Sequence, residues 1–207
     1  MSHMDELIEK VASDSPTPGG GSVSALASSL GCALNEMVSR LSLKKESDQG
    51  VTGKLRTVLD RSGELRMRLT SLVDEDAQAY QAVMDSYSLP KGTDGEKEKR
   101  MRAIQDALVG AAEPPLQIMR ISLDVLEIAK FLAESGSKSA CTDAGVAALM
   151  AQAGLHGGYL NVRINLAYVR NKDVVGEMEN EARSAFERGS ELLRSTLAIV
   201  DSRLSFQ

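Results

Sequence analysis

The sequence predicts an all-α protein, a mostly antiparallel bundle of five to six helices forming a single domain over residues 1–207. The composition favours helix over strand, because there is no Trp and there are only three Phe and four Tyr. Apolar residues recur every three or four positions, and no segment alternates as a strand would. A chain of this length can bury a sizeable core without disulfides or a metal.

Charge and hydropathy exclude several classes of function. The net charge is -5 and the basic residues are spread along the chain, so a nucleic-acid partner is not expected. No apolar run approaches the roughly 18 residues of a membrane span, and no signal peptide precedes the helices, so we expect a cytoplasmic protein without a membrane partner. Cys32 and Cys141 are too few and too far apart for a zinc site, which predicts reduced thiols and no bound metal.

Two predicted helices consist largely of small residues. In the first, over residues 22–43, the large apolar side chains recur on one face: Val23, Leu26, Leu30, Leu34, Met37 and Leu41. The second covers residues 143–167. Both helices are too apolar, and their side chains are too small on many faces, for a position on the surface. We therefore expect them to pack together in the core and also to form the interface of a homodimer.

The remaining helices are predicted from periodicity and breaks. A long helix covers residues 51–87, and the loop after it offers Thr93 or Asp94 as the N-cap of the next helix. Pro114 and Pro115 predict a kink or a fresh start in that helix. A last amphipathic helix is expected over residues 172–205.

A Gly-rich turn directly precedes the first small-residue helix. Free N–H groups at a helix N-terminus attract anions, and glycines allow a ligand to come close to the backbone. Alternatively, the turn only stops one helix and uses Ser22 to cap the next. The residues of this candidate binding turn are Pro18, Gly19, Gly20, Gly21 and Ser22.

Two aspartates are candidates for proton transfer. Asp143 follows Thr142 at the start of the second small-residue helix, where either residue can cap the helix; an aspartate facing a cleft could instead stabilise a cation or move a proton. Asp76 belongs to a run of three acids, a pattern typical of a solvated surface. Its helical phase, however, places it with Leu72 and Tyr80, so it is the acid expected to face inward.

Polar residues interrupt the second small-residue helix near its end. Asn161, Arg163 and Asn165 alternate with apolar residues, and consecutive members point about 200° apart on a helix. Arg163 could form a fork to a carboxylate. The alternative is that these groups fix a buried contact between helices.

Together these segments resemble one family, which comprises the C-terminal cyclodeaminase domain of formiminotransferase-cyclodeaminase and the stand-alone methenyltetrahydrofolate cyclohydrolases. The resemblance covers nearly the whole chain. It rests on four motifs in this order: Ser15 to Ser22, Asp76-x-x-Ala79-Tyr80, Thr142 to Val146, and Leu160 to Asn165. The run from Val83 to Lys97 is similar to the stand-alone cyclohydrolases in particular.

The resemblance implies a helical homodimer that binds a reduced folate in a cleft at or near the subunit interface, with no metal or redox cofactor. The implied reaction is hydrolysis of 5,10-methenyl-tetrahydrofolate to 10-formyl-tetrahydrofolate. The alternative is a cyclodeaminase that releases ammonia from formimino-tetrahydrofolate and leaves the methenyl form. A non-catalytic helical dimer or scaffold also explains the periodicity, but it does not explain why the motifs occur together.

The resemblance also implies roles for individual residues. Asp143 is expected to stabilise the cationic substrate or transfer a proton, with Asp76 as the alternative carboxylate. The Gly-rich turn and Arg163 are expected to hold the pterin or glutamate part, and Lys45 to meet the glutamate tail. The predicted substrate-binding set is Pro18, Gly19, Gly20, Gly21, Ser22, Lys45, Thr142, Asn161, Arg163 and Asn165.

Overall fold

The computed structural model describes the backbone of residues 3–204 and the side chains of residues 5–204. This part of the chain contains helices and no strand, so the all-α prediction is confirmed. Ser205, the last residue of the final predicted helix, lies outside the described residues. The helices are α1 (His3–Ala12), α2 (Gly20–Leu43), α3 (Gln49–Tyr87), α4 (Asp94–Ser135), α5 (Cys141–Leu166) and α6 (Lys172–Leu204), with a 3₁₀ turn at Lys138–Ala140 before α5.

Helices α2 and α5 pack against each other in antiparallel directions at the centre of the bundle. Gly31 of α2 lies against the backbone of Ala147 and Ala151, and Gly154 of α5 lies against Ser24 and Ser28. Side chains this small allow two helices to approach closely. The expectation that the two small-residue helices share one core is therefore confirmed.

The buried face of α2 differs from the face that the periodicity indicates. The face packed against α5 and α4 carries small and polar residues such as Ala25, Ser28 and Asn35, all fully buried. The large apolar residues lie on the opposite side, and Leu30 is 46% exposed. Hydrophobic periodicity identifies an apolar face, but it does not reveal whether the chain's own core covers it.

Caps and a proline pair define α4. Thr93 is its N-cap and forms a capping box with Glu96, so of the two predicted caps, Thr93 and Asp94, the first is confirmed. The prediction of a fresh start at the prolines is wrong, because α4 is continuous from Asp94 to Ser135. Pro115 has no N–H to donate to the carbonyl of Ala111. The side chain of Asn165 on α5 supplies the missing donor, with its Nδ2 atom 2.6 Å from that oxygen.

Cys32 and Cys141 are both free and buried, as expected of reduced thiols. In the part of the chain from residue 3 to residue 204, no helix combines the length and apolarity needed to cross a membrane.

Candidate functional site

A cavity of about 300 Å³ lies at one end of the α2–α5 pair. It is bounded by the first turn of α2, the C-terminal halves of α3 and α5, and the middle of α4. The fold thus brings three separate sequence motifs to one place. The predicted site residues that line it are Gly19, Gly20, Gly21, Asp76, Asn161 and Asn165.

Asp76 of α3 packs against the first turn of α2. Its Oδ2 atom lies 3.2 Å from the hydroxyl of Ser22, which is also 3.0 Å from the carbonyl oxygen of Val73. A Cβ atom on Gly21 would fall 2.0 Å from Asp76 Oδ1, so only glycine permits this approach. The N-cap of α2 is Gly19, without a side-chain hydrogen bond. The alternative that Ser22 caps α2 is therefore wrong, because its hydroxyl binds α3 instead.

The environment of Asp76 changes its affinity for a proton. Burial raises the pKa of the Asp76 carboxyl, while hydrogen bonds from the Ser22 hydroxyl and backbone N–H act in the opposite direction. Burial is the largest effect, so the carboxyl keeps its proton to a higher pH than an exposed aspartate. A carboxyl of this kind, lining a cavity, is suited to proton transfer. The prediction that Asp76 faces inward is confirmed.

Two amides on α5 face the same cavity. Asn161 donates its Nδ2 to the carbonyl of Gly157 at 2.8 Å, and Asn165 donates its Nδ2 to that of Ala111. One N–H of each amide is used in this way, so each side chain keeps its oxygen and its second N–H for a ligand. The two amide oxygens and the Asp76 carboxyl are hydrogen-bond acceptors, which suits a ligand with N–H groups or a positive charge. Asn165 also fixes α5 to α4, as the alternative of a buried contact between helices predicts.

The structure places Asp143, Lys45 and Thr142 away from this cavity within one chain. Asp143 lies 18 residues before Asn161 on α5, a distance of about 27 Å along the helix. Lys45 donates to Ser139 at 3.0 Å, near the start of α5. Thr142 is exposed in the first turn there, and the N-cap of α5 is Ala140, so the prediction that Thr142 or Asp143 caps this helix is wrong.

Arg163 and Pro18 also lie outside the lining. The guanidinium carbon of Arg163 is 5.5 Å from the ring centre of Tyr159, on the outer side of α5. Pro18 is half-buried between Thr17 and Gly19, which both line the cavity. The substrate-binding roles of these residues, and of Lys45 and Thr142, stay predictions.

Three tyrosines line the cavity: Tyr80, Tyr87 and Tyr168. Sequence reasoning used Tyr80 only as part of a motif and missed the other two as site residues. A signal was available for Tyr87, because Asp76, Tyr80, Val83 and Tyr87 recur at intervals of four, three and four residues on one face of α3. Tyr168 lies in the connection between α5 and α6, where no periodicity points to it.

Within the described residues, no three or more His, Cys, Asp and Glu side chains are grouped so that they could hold a metal ion. The absence of a cofactor is a prediction that this observation does not test.

Comparison with known proteins decides the family. The model of the formiminotransferase-cyclodeaminase family matches residues 3–184, nearly the whole chain. The chain belongs to this family. Family membership confirms the resemblance inferred from the four motifs.

The chain is similar to several enzymes. A methenyltetrahydrofolate cyclohydrolase from Methylorubrum extorquens is 41% identical over 78% of each chain. The formimidoyltransferase-cyclodeaminase of Gallus gallus is 31% identical over 95% of this chain, which spans 36% of that longer protein. The crystal structure of formiminotetrahydrofolate cyclodeaminase from Thermotoga maritima shares the fold, with a TM-score of 0.87, 27% identity, and coverage of 99% of this chain and 98% of that one.

Proposed function

We propose that the protein is a methenyltetrahydrofolate cyclohydrolase, which adds water to 5,10-methenyl-tetrahydrofolate and gives 10-formyl-tetrahydrofolate. The observation that carries the proposal is the cavity in which Asp76, with its raised pKa, faces the Gly-rich turn and two amide oxygens. Similarity to a named cyclohydrolase over most of both chains supports it. The reaction needs no metal or redox cofactor, and the free buried thiols suit the reducing cytoplasm, where we propose that the enzyme works.

The chemistry of the substrate matches the groups in the cavity. The methenyl carbon bridges N5 and N10 and shares a positive charge with them. Water adds to this carbon and loses one proton, which leaves a hydroxyl on the carbon. The carbon–N5 bond then breaks as N5 takes up a proton and the hydroxyl loses its own to become the formyl C=O, so that one proton is released overall. Asp76 is the group that accepts the proton from water and returns it to nitrogen. The acceptor oxygens of Asn161 and Asn165 favour the cationic substrate and its N–H groups.

A cyclodeaminase is the second candidate. It is favoured by the shared fold with a formiminotetrahydrofolate cyclodeaminase over nearly the full length of both chains. Both reactions pass through a tetrahedral carbon between the same two nitrogens, so the same carboxyl could protonate departing ammonia. A scaffold without catalysis gives no reason for a buried carboxyl in a cavity.

Assay of the purified protein with each substrate tests this proposal. The absorbance of methenyl-folate should fall when the protein is added to methenyl-tetrahydrofolate, faster than without protein. A rise in that absorbance from formimino-tetrahydrofolate, with no effect on the methenyl form, would identify a cyclodeaminase. If neither substrate reacts and neither raises the melting temperature, the scaffold alternative holds.

The second part of the proposal is a homodimer formed through α2 and α5. These neighbouring helices expose one continuous set of large apolar side chains: Val23, Leu30, Met37, Leu41, Val146, Leu149, Leu160 and Ile164, each at least 37% exposed. A contiguous apolar surface of this kind marks an interaction site. The occupant that we propose is a second copy of the chain, because an apolar face of this shape can pair with itself about a two-fold axis.

A two-fold axis would bring the two separated motifs together. The centre of the apolar face lies close to the contact between Gly31 and Ala151. From there Asn161 is ten residues away in one direction along α5 and Asp143 is eight residues away in the other. An axis through this point, perpendicular to the helices, exchanges the two ends of the face. The partner's Asp143 then comes to the end that holds Asn161 and Asp76, and Lys45 and Thr142 of the partner subunit come with it.

Continuity of the cavity with this face supports the arrangement. Ile164 lines the cavity and also belongs to the apolar face, of which it is among the most exposed residues at 58%. A second subunit on the face would therefore also close one side of the cavity. On this proposal the complete site has one carboxylate from each subunit.

A further inference from the structure

We propose that Tyr87 and Tyr168 form a clamp for one flat conjugated ring of the substrate, and that Arg100 and Gln105 of α4 position this clamp. The inference rests on the proposed function, because it assigns the part of a folate that the mouth of the cavity holds. Neither α4 residue lines the cavity, so both act through the tyrosines.

The two tyrosines expose aromatic surface at the mouth of the cavity. Tyr87 is 44% exposed and Tyr168 is 65% exposed, although both line the cavity. They come from different elements, the end of α3 and the connection between α5 and α6. Aromatic rings supply a large contact area and stack on flat partners. Two of them at one opening offer a surface that a planar ring can cover.

Arg100 holds Tyr87 in two ways. Its guanidinium donates to the carbonyl oxygen of Tyr87 from both Nε, at 3.2 Å, and Nη2, at 2.9 Å. The guanidinium carbon also lies 5.6 Å from the centre of the Tyr87 ring, within the range of a cation–π contact. One side chain therefore fixes both the backbone and the ring of this tyrosine.

Gln105 holds the segment that carries Tyr168. Its Nε2 donates to the carbonyl oxygen of Tyr168 at 3.2 Å, and its Oε1 accepts from the backbone N–H of Arg170 at 2.7 Å. The amide thus binds the chain on both sides of Val169, whose own N–H donates to the carbonyl oxygen of Leu166 at 3.0 Å. Arg100 and Gln105 are five residues apart on α4, so this rigid helix sets the distance between the two tyrosines.

The size of the cavity indicates that part of a folate remains at its mouth. Its volume of about 300 Å³ is at the lower limit for a ligand pocket. Asp76, where the reacting carbon has to lie, is eleven residues before Tyr87 on α3, about 16 Å along the helix. A folate carries one flat ring on each side of its one-carbon bridge. A ring held by the tyrosines leaves the bridge on the side of Asp76.

Tyrosine fluorescence tests the clamp directly. The chain has no Trp and four Tyr, three of which line the cavity. The fourth, Tyr159, stacks on Phe186 at 4.9 Å and provides the matched control. The probes are tetrahydrofolate, p-aminobenzoylglutamate and a tetrahydropterin, and the emission is corrected for the absorbance of each probe. Tetrahydrofolate should quench the emission of the natural protein and of Tyr159→Phe.

Kinetics of the variants give the second readout. In Tyr168→Leu and in Gln105→Ala we expect less quenching and a KM raised about tenfold or more, with kcat within about threefold, because the clamp binds substrate and transition state alike. Tyr168→Phe should keep the natural KM, since it keeps the ring. Quenching by only one of the two fragment probes identifies which ring is held, and either result supports the clamp.

Two outcomes would overturn the inference. An unchanged KM and unchanged quenching in Tyr168→Leu would show that the ring is not held there, even though the protein binds folate. A loss of kcat with an unchanged KM in Gln105→Ala would assign that residue to another step. If no probe quenches the natural protein and neither folate substrate reacts, the proposed function fails as well, which is a separate result.

Discussion

A single carboxyl determines much of the chemistry of the cavity. Asp76 is placed against the first turn of α2 because Gly21 has no side chain, and Ser22 donates to it from that same turn. Burial nevertheless dominates and raises the pKa of this carboxyl. Ionisation of Asp76 therefore lowers the free energy of unfolding of the native protein, as is common where a group is kept for proton transfer.

The substitution Asp76→Asn separates stability from activity. Because the pKa is higher in the native state than in the unfolded state, the stability due to this group is present at low pH and is lost as pH rises through the raised value. Asparagine has no such dependence, so the melting temperature of the variant minus that of the natural protein should increase as pH rises. Turnover should fall about 100- to 10,000-fold.

Thermal unfolding between about pH 4 and pH 8, together with the absorbance assay, checks both parts of this expectation. A difference in melting temperature that decreases as pH rises, or turnover within about threefold of the natural value, would contradict the role given to Asp76.

The contact between α2 and α5 depends on residues without large side chains. A Cβ atom on Gly154 would lie 1.9 Å from Ser28 Oγ and 2.5 Å from the carbonyl oxygen of Ser24. The hydroxyl could move away, but the backbone of α2 could not move without disturbing the first turn that faces Asp76. The geometry of the site is therefore linked to the packing of these two helices.

For this reason Gly154→Ala should destabilise the protein by about 1–3 kcal/mol, despite the better helix propensity of alanine. Gly176→Ala on α6 is the matched control, because a Cβ atom there meets nothing within 4 Å. It should raise stability by up to about 1 kcal/mol. Urea unfolding at one fixed protein concentration measures both, and equal effects of the two substitutions would contradict this account of the helix contact.

At the scale of the whole molecule, the proposed site takes one carboxylate from each subunit. Asp76 and Asp143 lie at opposite ends of the α2–α5 pair within one chain, and the two-fold arrangement would bring each beside the other subunit's copy of the complementary residue. If the site is composed in this way, two inactive variant chains can restore each other's activity. Chains that each hold a complete site cannot do so.

Mixing Asp76→Asn chains with Asp143→Asn chains tests the composite site. A mixed dimer has one site with both changes and one site with neither, so random exchange of subunits should restore about one quarter of the natural activity. The chains are unfolded and refolded together, and each variant treated alone is the control. No restoration, in a mixture that sedimentation shows to be dimeric, would place both carboxylates in one chain or remove Asp143 from the mechanism.

Sequence alone predicted the helices well, because strong breaks bound them and most carry a regular apolar pattern, while α5 stands out by its small residues. It failed at the prolines of α4, since the donor that compensates for Pro115 comes from Asn165, 50 residues later. It also placed the apolar face of α2 without revealing that the chain leaves this face uncovered. In the site, Asp76 was found from its helical phase, while Tyr168 was missed because its position depends on Gln105 of another helix.

Pro115 in α4 has no N–H, so the carbonyl oxygen of Ala111 in the cavity wall accepts no hydrogen bond from residue 115. It accepts one from the side chain of Asn165 on α5 instead. Replacing Pro115 with a residue that has an N–H would restore the hydrogen bond to Ala111 within α4 and release the amide of Asn165. That amide could then turn and present its nitrogen to the ligand, so a change within α4 would alter the hydrogen-bonding groups that α5 presents to the cavity.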